Sequence, residues 1–263
     1  MKRDTDMIVR QFPREMDEVE VYPIGDVHLG AQEHMADAWR AFVDSVKAKP
    51  NAYLVLIGDL LNNGTRTSVT NIFLETARPA DQKRQMAEML RPLRDRILAI
   101  IPGNHEARSG KDADDDPTYD ICMKLDIEDV YRPNAAFIKL TLGDRGLRGH
   151  ERPAFVIAAT HGAGGGIYTG AAVNRNERWG NVIDGVDVLI VGHSHKAHVT
   201  KPMKIVVDPR NNVVKMRPYY VVGVSSWMEY GGYAMRKMLL PSSHAAQTIR
   251  FKRLYRTVSV TME

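Results

Sequence analysis

Five short segments of the chain carry side chains that bind metals or move protons. They are Gly25-Asp26-Val27-His28, Gly58-Asp59, Gly103-Asn104-His105-Glu106, Thr160-His161-Gly162 and Gly192-His193-Ser194-His195. Together they supply the carboxylates of Asp26 and Asp59, the amide of Asn104 and the imidazoles of His28, His161, His193 and His195. His105 adds a further imidazole. Oxygen donors mixed with imidazole suit borderline divalent ions such as Mn, Fe or Zn, whereas Ca prefers all-oxygen sites. Seven side chains are too many for one tetrahedral ion. If one carboxylate bridges, they divide into four ligands for each of two ions. Two ions roughly 3.5–4 Å apart clamp and activate a water for in-line displacement at phosphorus. Each segment alone is ordinary. An Asp-x-His pair is commonly a turn with a capping Asp, and Gly-Asn-His is commonly only a turn, since Asn tolerates a left-handed backbone. A lone His is usually structural. What turns do not explain is the ordered recurrence, each segment closing a strand.

The elements that position these groups follow from hydrophobic pattern. Val19 to Ile24 and Tyr53 to Ile57 read as buried strands, each running into a Gly-Asp turn. Ile97 to Ile101 is a third strand, ending in Pro-Gly. Asp37 to Lys47 is a helix with Trp39, Phe42, Val43 and Val46 on one stripe. Asp81 to Arg96 is a second helix, with Met86, Met89, Leu90 and Leu93 inward and Pro92 as a site for a kink. The order βαβαβ predicts a parallel or mixed sheet. A short helix from Pro117 to Leu125 leads into a strand-rich half: Ala136 to Leu142, Ala154 to Ala159, Val188 to Val191, Lys204 to Val207, Val213 to Arg217 and Tyr219 to Val224. A second sheet packed on the first, with helices outside, accounts for it. In open α/β sheets functional groups gather at the carboxyl ends of strands, so five strand ends are expected to meet.

The 263 residues are 44% hydrophobic and 26% charged, which excludes a disordered chain, a fibre and a disulfide scaffold. Cys122 is the single cysteine, so no intrachain disulfide forms, and a reducing cytoplasm fits. Met1 to Phe12 is charged and does not read as a secretory signal. The longest apolar runs fall far short of the roughly 20 residues a membrane span needs. No linker or repeat divides the chain, so one domain over residues 1–263 is expected. Net charge is +4, but Ala197 to Glu263 holds 11 basic and 3 acidic residues, or +8. A basic third of this kind either faces phosphates or lays lysines on the wet face of a sheet.

The ordered blocks D-x-H, G-D, G-N-H-[DE], H and G-H-x-H resemble those of the calcineurin-like metallophosphoesterase superfamily, over Gly25 to His195. The resemblance implies an α/β fold, a four-layer αββα sandwich of two mixed sheets flanked by helices. It implies two divalent metal ions, Mn foremost, with Fe, Zn or Mg as alternatives. Asp26, His28 and His195 would hold the first, Asn104, His161 and His193 the second, and Asp59 would bridge them. A hydroxide between the ions would attack phosphorus, with His105 as the general acid. Phosphoprotein phosphatases of this superfamily carry G-D-x-V-D-R-G. Here Gly58-Asp59-Leu60-Leu61-Asn62-Asn63-Gly64 puts Asn62 where their second Asp orients the catalytic His and Asn63 where they have a phosphate-binding Arg. That argues against a phosphoprotein substrate and leaves the orienter of His105 open. The plan is closer to the nuclease and phosphodiesterase branches and to small phage-type phosphoesterases.

Outside the blocks, Arg66 and Arg108 are candidates for substrate phosphate, because Arg makes forked contacts to phosphate oxygens. Tyr168, after the glycine-rich loop Gly162 to Gly166, is a candidate for stacking on a base, as is Trp179 unless it anchors a core. Glu106 reads as a support for the ligands. Asp112 to Asp116 reads as a solvated loop capping the next helix. His34, His150, His198 and His244 match no block and are expected to be structural or on the surface. His244 is the one able to reach the site from a late loop. Trp227, Tyr230 and Tyr233 read as core, with a substrate or dimer surface as the alternative. The leading expectation is a phosphodiesterase acting on nucleic acid (DNA or RNA) or nucleotides. A phosphomonoesterase acting on a small metabolite is the alternative. A catalytically silent scaffold is the remote one, given the intact ligand set.

Overall fold

Nearly continuous apolar runs form the strands that are buried on both faces, and these build two sheets. The computed structural model describes residues 4–69, 71–143 and 153–263. In chain order the elements are β1 (Ile8–Gln11), β2 (Glu18–Ile24), α1 (Ala36–Ala48), β3 (Ala52–Ile57), α2 (Pro79–Leu90), β4 (Ile97–Ile101), α3 (Glu106–Ala113), α4 (Pro117–Leu125), β5 (Ala135–Thr141), β6 (Ala154–Thr160), α5 (Thr169–Val182), β7 (Val188–Val191), β8 (His198–Thr200), β9 (Met203–Asp208), β10 (Val213–Pro218), β11 (Tyr220–Gly223), α6 (Gly232–Arg236), β12 (Gln247–Lys252) and β13 (Thr257–Met262). One sheet runs β13-β12-β2-β3-β4 and the other β1-β5-β6-β7-β11-β8, while β9 and β10 form a separate hairpin.

Side-chain parity shows the layering. Along β6 and β7, Ile157, Ala159, Val188 and Ile190 enter the main core between the sheets. Their neighbours Ala158, Leu189 and Val191 enter a second cluster with Trp179 and Ile183 of the α5 segment. Both faces of the six-stranded sheet are therefore covered at β6 and β7. Phe155 of β6 meets Phe251 of β12 edge-on at 5.1 Å, joining the two sheets. Helices α1, α2 and α4 pack outside the five-stranded sheet. The result is the four-layer arrangement of helix, sheet, sheet and helix.

Three local outcomes differ from the sequence pattern. The helix expected to reach Arg96 stops at Leu90, and Arg91–Arg96 is a 3-10 turn. Pro92 lacks the N–H that would continue the α-helical ladder. The edge strands β1 and β13 and the neighbouring β12 carry no long apolar run. Finally, Thr169–Val182 is a helix that buries Ala172, Asn176 and Gly180, a stripe of small and polar residues. Gly180 lies directly against the Tyr219 ring.

Four of the basic side chains in the last third meet acids from earlier in the chain. Arg250 meets Glu20 at 2.9 Å, Lys252 meets Glu18 at 3.0 Å, Arg253 meets Asp17 at 2.6 Å and Arg256 meets Asp187 at 2.9 Å. His34 donates to the Val27 carbonyl, and His244 donates to the Ser226 carbonyl with its ring against Trp227. His198 is buried beside Asn176. Trp227 is buried against Trp39, whereas Tyr230 and Tyr233 are exposed. Asp116 caps α4 through the Tyr119 N–H. His150 lies outside the described residues. Phe251 is fully buried, so Phe251→Ala is expected to cost about 3–5 kcal/mol, read as a lower urea midpoint at unchanged m-value.

Candidate metal and catalytic site

Parallel pairing of β2 with β3 and of β3 with β4, and of β6 with β7, aligns five strand ends on one side of the sandwich. Asp26 and His28 follow β2, Asp59 follows β3, Asn104 and His105 follow β4, His161 follows β6, and His193 and His195 follow β7. Hydrogen bonds between the loops fix the assembly. Asp26 N–H donates to the Gly58 carbonyl at 3.0 Å and His28 N–H to the Asp59 carbonyl at 2.9 Å. His193 N–H donates to Asp26 Oδ2 at 3.0 Å, and His161 Nδ1 donates to the Ile57 carbonyl at 2.8 Å. The last two tie one sheet to the other at the site.

Three groups of donors result. Asp26, His28 and His195 form one and Asp59, His161 and His193 another. The third, His28, Asp59 and His105, has His28 in common with the first and Asp59 in common with the second. Since the His161 Nδ1–H is committed to Ile57, its Nε2 presents a lone pair unless protonated. That Nε2 sits 3.0 Å from Asn104 Oδ1, 3.2 Å from His193 Nδ1 and 3.4 Å from Asp59 Oδ2. On the other side, His28 Nε2 and His195 Nε2 are 3.2 Å apart, and His195 Nε2 is 3.3 Å from Asp26 Oδ1. Asp26 Oδ1 and His28 Nδ1 are buried without a hydrogen-bond partner.

A proton satisfies one such contact, whereas a cation satisfies all the donors that surround it. Ligand bonds of roughly 2.1 Å place neighbouring donors ~3.0–3.4 Å apart around a tetrahedral or octahedral ion. The observed spacings and the orphaned carboxylate oxygen fit that requirement. The side chains alone respond only partly. Burial would pull His161 down, but Asp59 outweighs it and pushes the imidazole up to about 9. Burial would raise Asp59, yet His161 and the neighbouring imidazoles hold it far below the carboxylate range. Burial and the adjacent imidazoles push His28 well below its ordinary value.

The backbone is strained at the same place. Asp26 (φ 54°), His28 (51°), Asp59 (49°), His193 (67°) and His195 (54°) are all left-handed. Such residues cost of order 1–3 kcal/mol each and persist only where surroundings enforce them. Glu106 does much of the enforcing. Its carboxylate is buried and accepts N–H bonds from Asp59 (2.9 Å), Leu61 (2.9 Å) and Gly103 (2.8 Å). Gly58, at φ +86°, lets the two turns touch: a Cβ there would lie 2.3 Å from the Gly103 nitrogen.

His105 Nδ1 donates to the Asn62 backbone carbonyl at 2.8 Å, which supplies its orienter without an Asp at position 62. Nε2 is thereby turned toward the shared donors, 3.8 Å from Asp59 Oδ2. The Asn62 side chain donates to Glu75 instead, and Asn63 donates to the His105 carbonyl and to Ser109. Neither side chain replaces a phosphate-binding Arg.

The site opens into a cleft of about 620 Å³ whose lining includes His28, Asp59, Asn104, His105, His193 and His195. Arg108 also lines it, beside Asp59, Glu106 and Glu75. Arg66 is exposed and lies off the lining. Tyr168 is 71% exposed and also off it, although Gly164 to Ile167 form part of one wall. Trp179 packs into the second core cluster. A further part of the lining, which has no chemical motif in the sequence, comes from Glu33, Tyr230, Tyr233 and Arg236.

The calcineurin-like phosphoesterase profile matches residues 21–197. The chain belongs to the calcineurin-like phosphoesterase family. Members are metal-dependent hydrolases of phosphoesters, and the clustered Asp and His donors suit that chemistry. The chain is similar to the DNA polymerase II small subunit of two strains of Halobacterium salinarum, each 36% identical over 88 residues. That stretch is 32% of this chain and 17% of the archaeal subunit. A solved structure from Streptococcus pneumoniae TIGR4, described as a conserved uncharacterized protein and predicted phosphoesterase, aligns over 94% of this chain and 99% of that chain. Its identity is 10% and its TM-score 0.37. No helix among the described residues is long and apolar enough to cross a membrane.

In Glu106→Gln one N–H of the three would face an amide NH₂ rather than an oxygen. A loss of about 1–3 kcal/mol is expected, together with weaker metal retention. Calorimetry with and without Mn checks both, and full stability with full metal content would contradict this role for Glu106.

Proposed function

We propose that this protein is a phosphodiesterase with two divalent cations, Mn foremost, acting on a nucleic acid or nucleotide. The observation that carries this reading is the pair of donor groups joined through Asp59 with His105 beside them at the floor of an open cleft. Asp26, His28 and His195 would hold one ion, Asn104, His161 and His193 the other, and Asp59 both. When bound, the ions supply charge to the phosphoryl oxygens and an activated water. Protonated His105 keeps its Nδ1–H on the Asn62 carbonyl and offers Nε2–H to the leaving oxygen. Asn62 therefore fixes both the ring plane and which nitrogen faces the substrate. Arg108 is placed to fork onto a non-bridging oxygen.

Diester hydrolysis is favoured over monoester hydrolysis by charge and by room. A monoester carries a dianionic phosphoryl group, and the position where related phosphatases hold it with Arg is Asn63, turned inward onto His105 and Ser109. The cleft, at about 620 Å³, has room for a substituent on each ester oxygen. The similarity to a DNA polymerase subunit supports a nucleic-acid setting and covers only a short stretch of that protein. The cleft's own charges balance: Arg108, Arg175, Lys196 and Arg236 face Asp59, Glu33, Glu75 and Glu229. Binding is thus expected to rest on one phosphate at the floor rather than on a basic track.

Manganese-reconstituted protein is expected to cleave bis-p-nitrophenyl phosphate and at least one of single- or double-stranded DNA, with p-nitrophenyl phosphate the poorest substrate. Activity confined to the monoester would refute the diesterase reading. Elemental analysis is expected to find about two ions per chain, the number a shared-carboxylate site holds. In His105→Ala, kcat is expected to fall about 10²–10⁴-fold with metal content unchanged. Between about 50 and 200 mM salt, KM for a single-stranded oligonucleotide should rise by less than about tenfold, as for one or two neutralised phosphates. A much steeper rise would point to a polyanion-binding surface elsewhere.

A further inference from the structure

The β9–β10 hairpin is amphipathic in the wrong sense for a free surface. Its register pairs Met203 with Pro218, Ile205 with Met216 and Val207 with Val214. Because side chains alternate, these six residues share one face. That face is turned outward: Met203, Ile205, Val207, Val214 and Met216 are each 58–68% exposed. On the other face Lys204, Val206 and Arg217 are half-buried toward the body of the protein, while Val213 and Lys215 are exposed near the hairpin tip. Lys204 donates to the Ile183 carbonyl and stands over the Tyr219 ring. Arg217 donates to the Gly185 carbonyl at 3.0 Å and approaches Asp187 at 3.7 Å. The two charged anchors hold the hairpin so that its apolar side cannot rotate inward.

Such a face needs a cover. A two-stranded hairpin is marginal in water without apolar packing, and β9 and β10 pair only with each other among the described residues. The six side chains expose on the order of 600 Å², the upper end of the largest patch on an ordinary monomer. Two such faces stacked together would bury about 1,200 Å², the lower bound for a specific interface. The face holds no charged group, so a charged partner has nothing to pair with there. It is also self-complementary: a two-fold axis through the central Ile205–Met216 pair superposes apolar residues on apolar residues along both strands. We propose that the outer face of the β9–β10 hairpin joins two copies of this chain, stacked face to face about a two-fold axis. The interface lies outside the metal cleft, whose lining includes none of these residues.

Sedimentation equilibrium of the full chain from about 1 to 50 µM spans the range in which interfaces of this size dissociate. The wild type is expected to approach twice the 29.6 kDa chain mass. The double variant Ile205→Asp/Val214→Asp is expected to sediment as one chain, with association weakened at least ~100-fold and its thermal midpoint kept. As an independent readout, Met216→Cys should be cross-linked between chains by a short bis-maleimide, because the native thiol, Cys122, is buried. A wild type that stays at single-chain mass throughout would overturn the proposal. So would a double variant that remains dimeric, or a single-chain wild type that co-sediments with anionic lipid vesicles through Ile205 and Val214.

Discussion

His161 Nε2 faces three other oxygen and nitrogen donors at 3.0–3.4 Å, more than a single proton on that nitrogen can serve at once. Lone pairs held this close repel one another unless positive charge lies among them. That requirement reaches outward through the fold. Asn104 and Asp59 come from the five-stranded sheet, His161 and His193 from the six-stranded one. The contact exists only while the two sheets keep their relative register. The bonds from His161 to Ile57 and from His193 to Asp26 set that register at the site, and the Phe155–Phe251 contact is a second tie between the sheets. A cation among these donors would therefore act as a cross-link between sheets as well as a reagent, because metal binding and folding share one free energy.

The same demand explains why the site is built on turns. Regular strand ends cannot aim these five donors at one place, and the backbone turns left-handed at Asp26, His28, Asp59, His193 and His195. Asp and His tolerate that region better than branched residues do, and here they are also the donors. The strain is opposed by Glu106, a buried carboxylate that binds backbone N–H groups rather than a ligand. Its position three residues after Gly103 serves the turn, and the adjacent His105 lines the cleft. One four-residue segment thus carries a close backbone contact, a donor, an imidazole on the cleft lining and a brace.

Much of this was legible in the chain. Strands β2, β3, β4 and β7 announce themselves as apolar runs ending in Gly and a polar donor, and the site follows from the order of those endings. What was hidden has physical reasons. Helix α5 packs through Ala172, Asn176 and Gly180, and a stripe of small residues leaves no hydrophobic period to read. Strand β12 alternates, and β13 lies at a sheet edge, so neither shows a continuous run. The orienter of His105 could not be read because it is the backbone carbonyl of Asn62, an atom present in every residue; only its placement is special. The cleft wall with Glu33, Tyr230 and Tyr233 depends on distant segments meeting, and no local pattern encodes that.

Charge offers the clearest case of a sequence total that misleads. The last third of the chain carries +8, which on its face suggests a surface for a polyanion. In the fold, Arg250, Lys252 and Arg253 meet the acidic Glu20, Glu18 and Asp17 of the first strands, and Arg256 meets Asp187. The surplus in one segment answers the deficit in another, and among the described residues of the final third only Arg236 brings a cationic side chain to the cleft. Two divalent ions at the floor would outweigh Asp26 and Asp59, while the walls stay neutral. A field confined to the floor holds a single phosphate firmly and lets the rest of the substrate be chosen by shape and hydrogen bonding. Under the proposed function, this distribution suits selection of one ester at the floor and not a grip on a strand along its length.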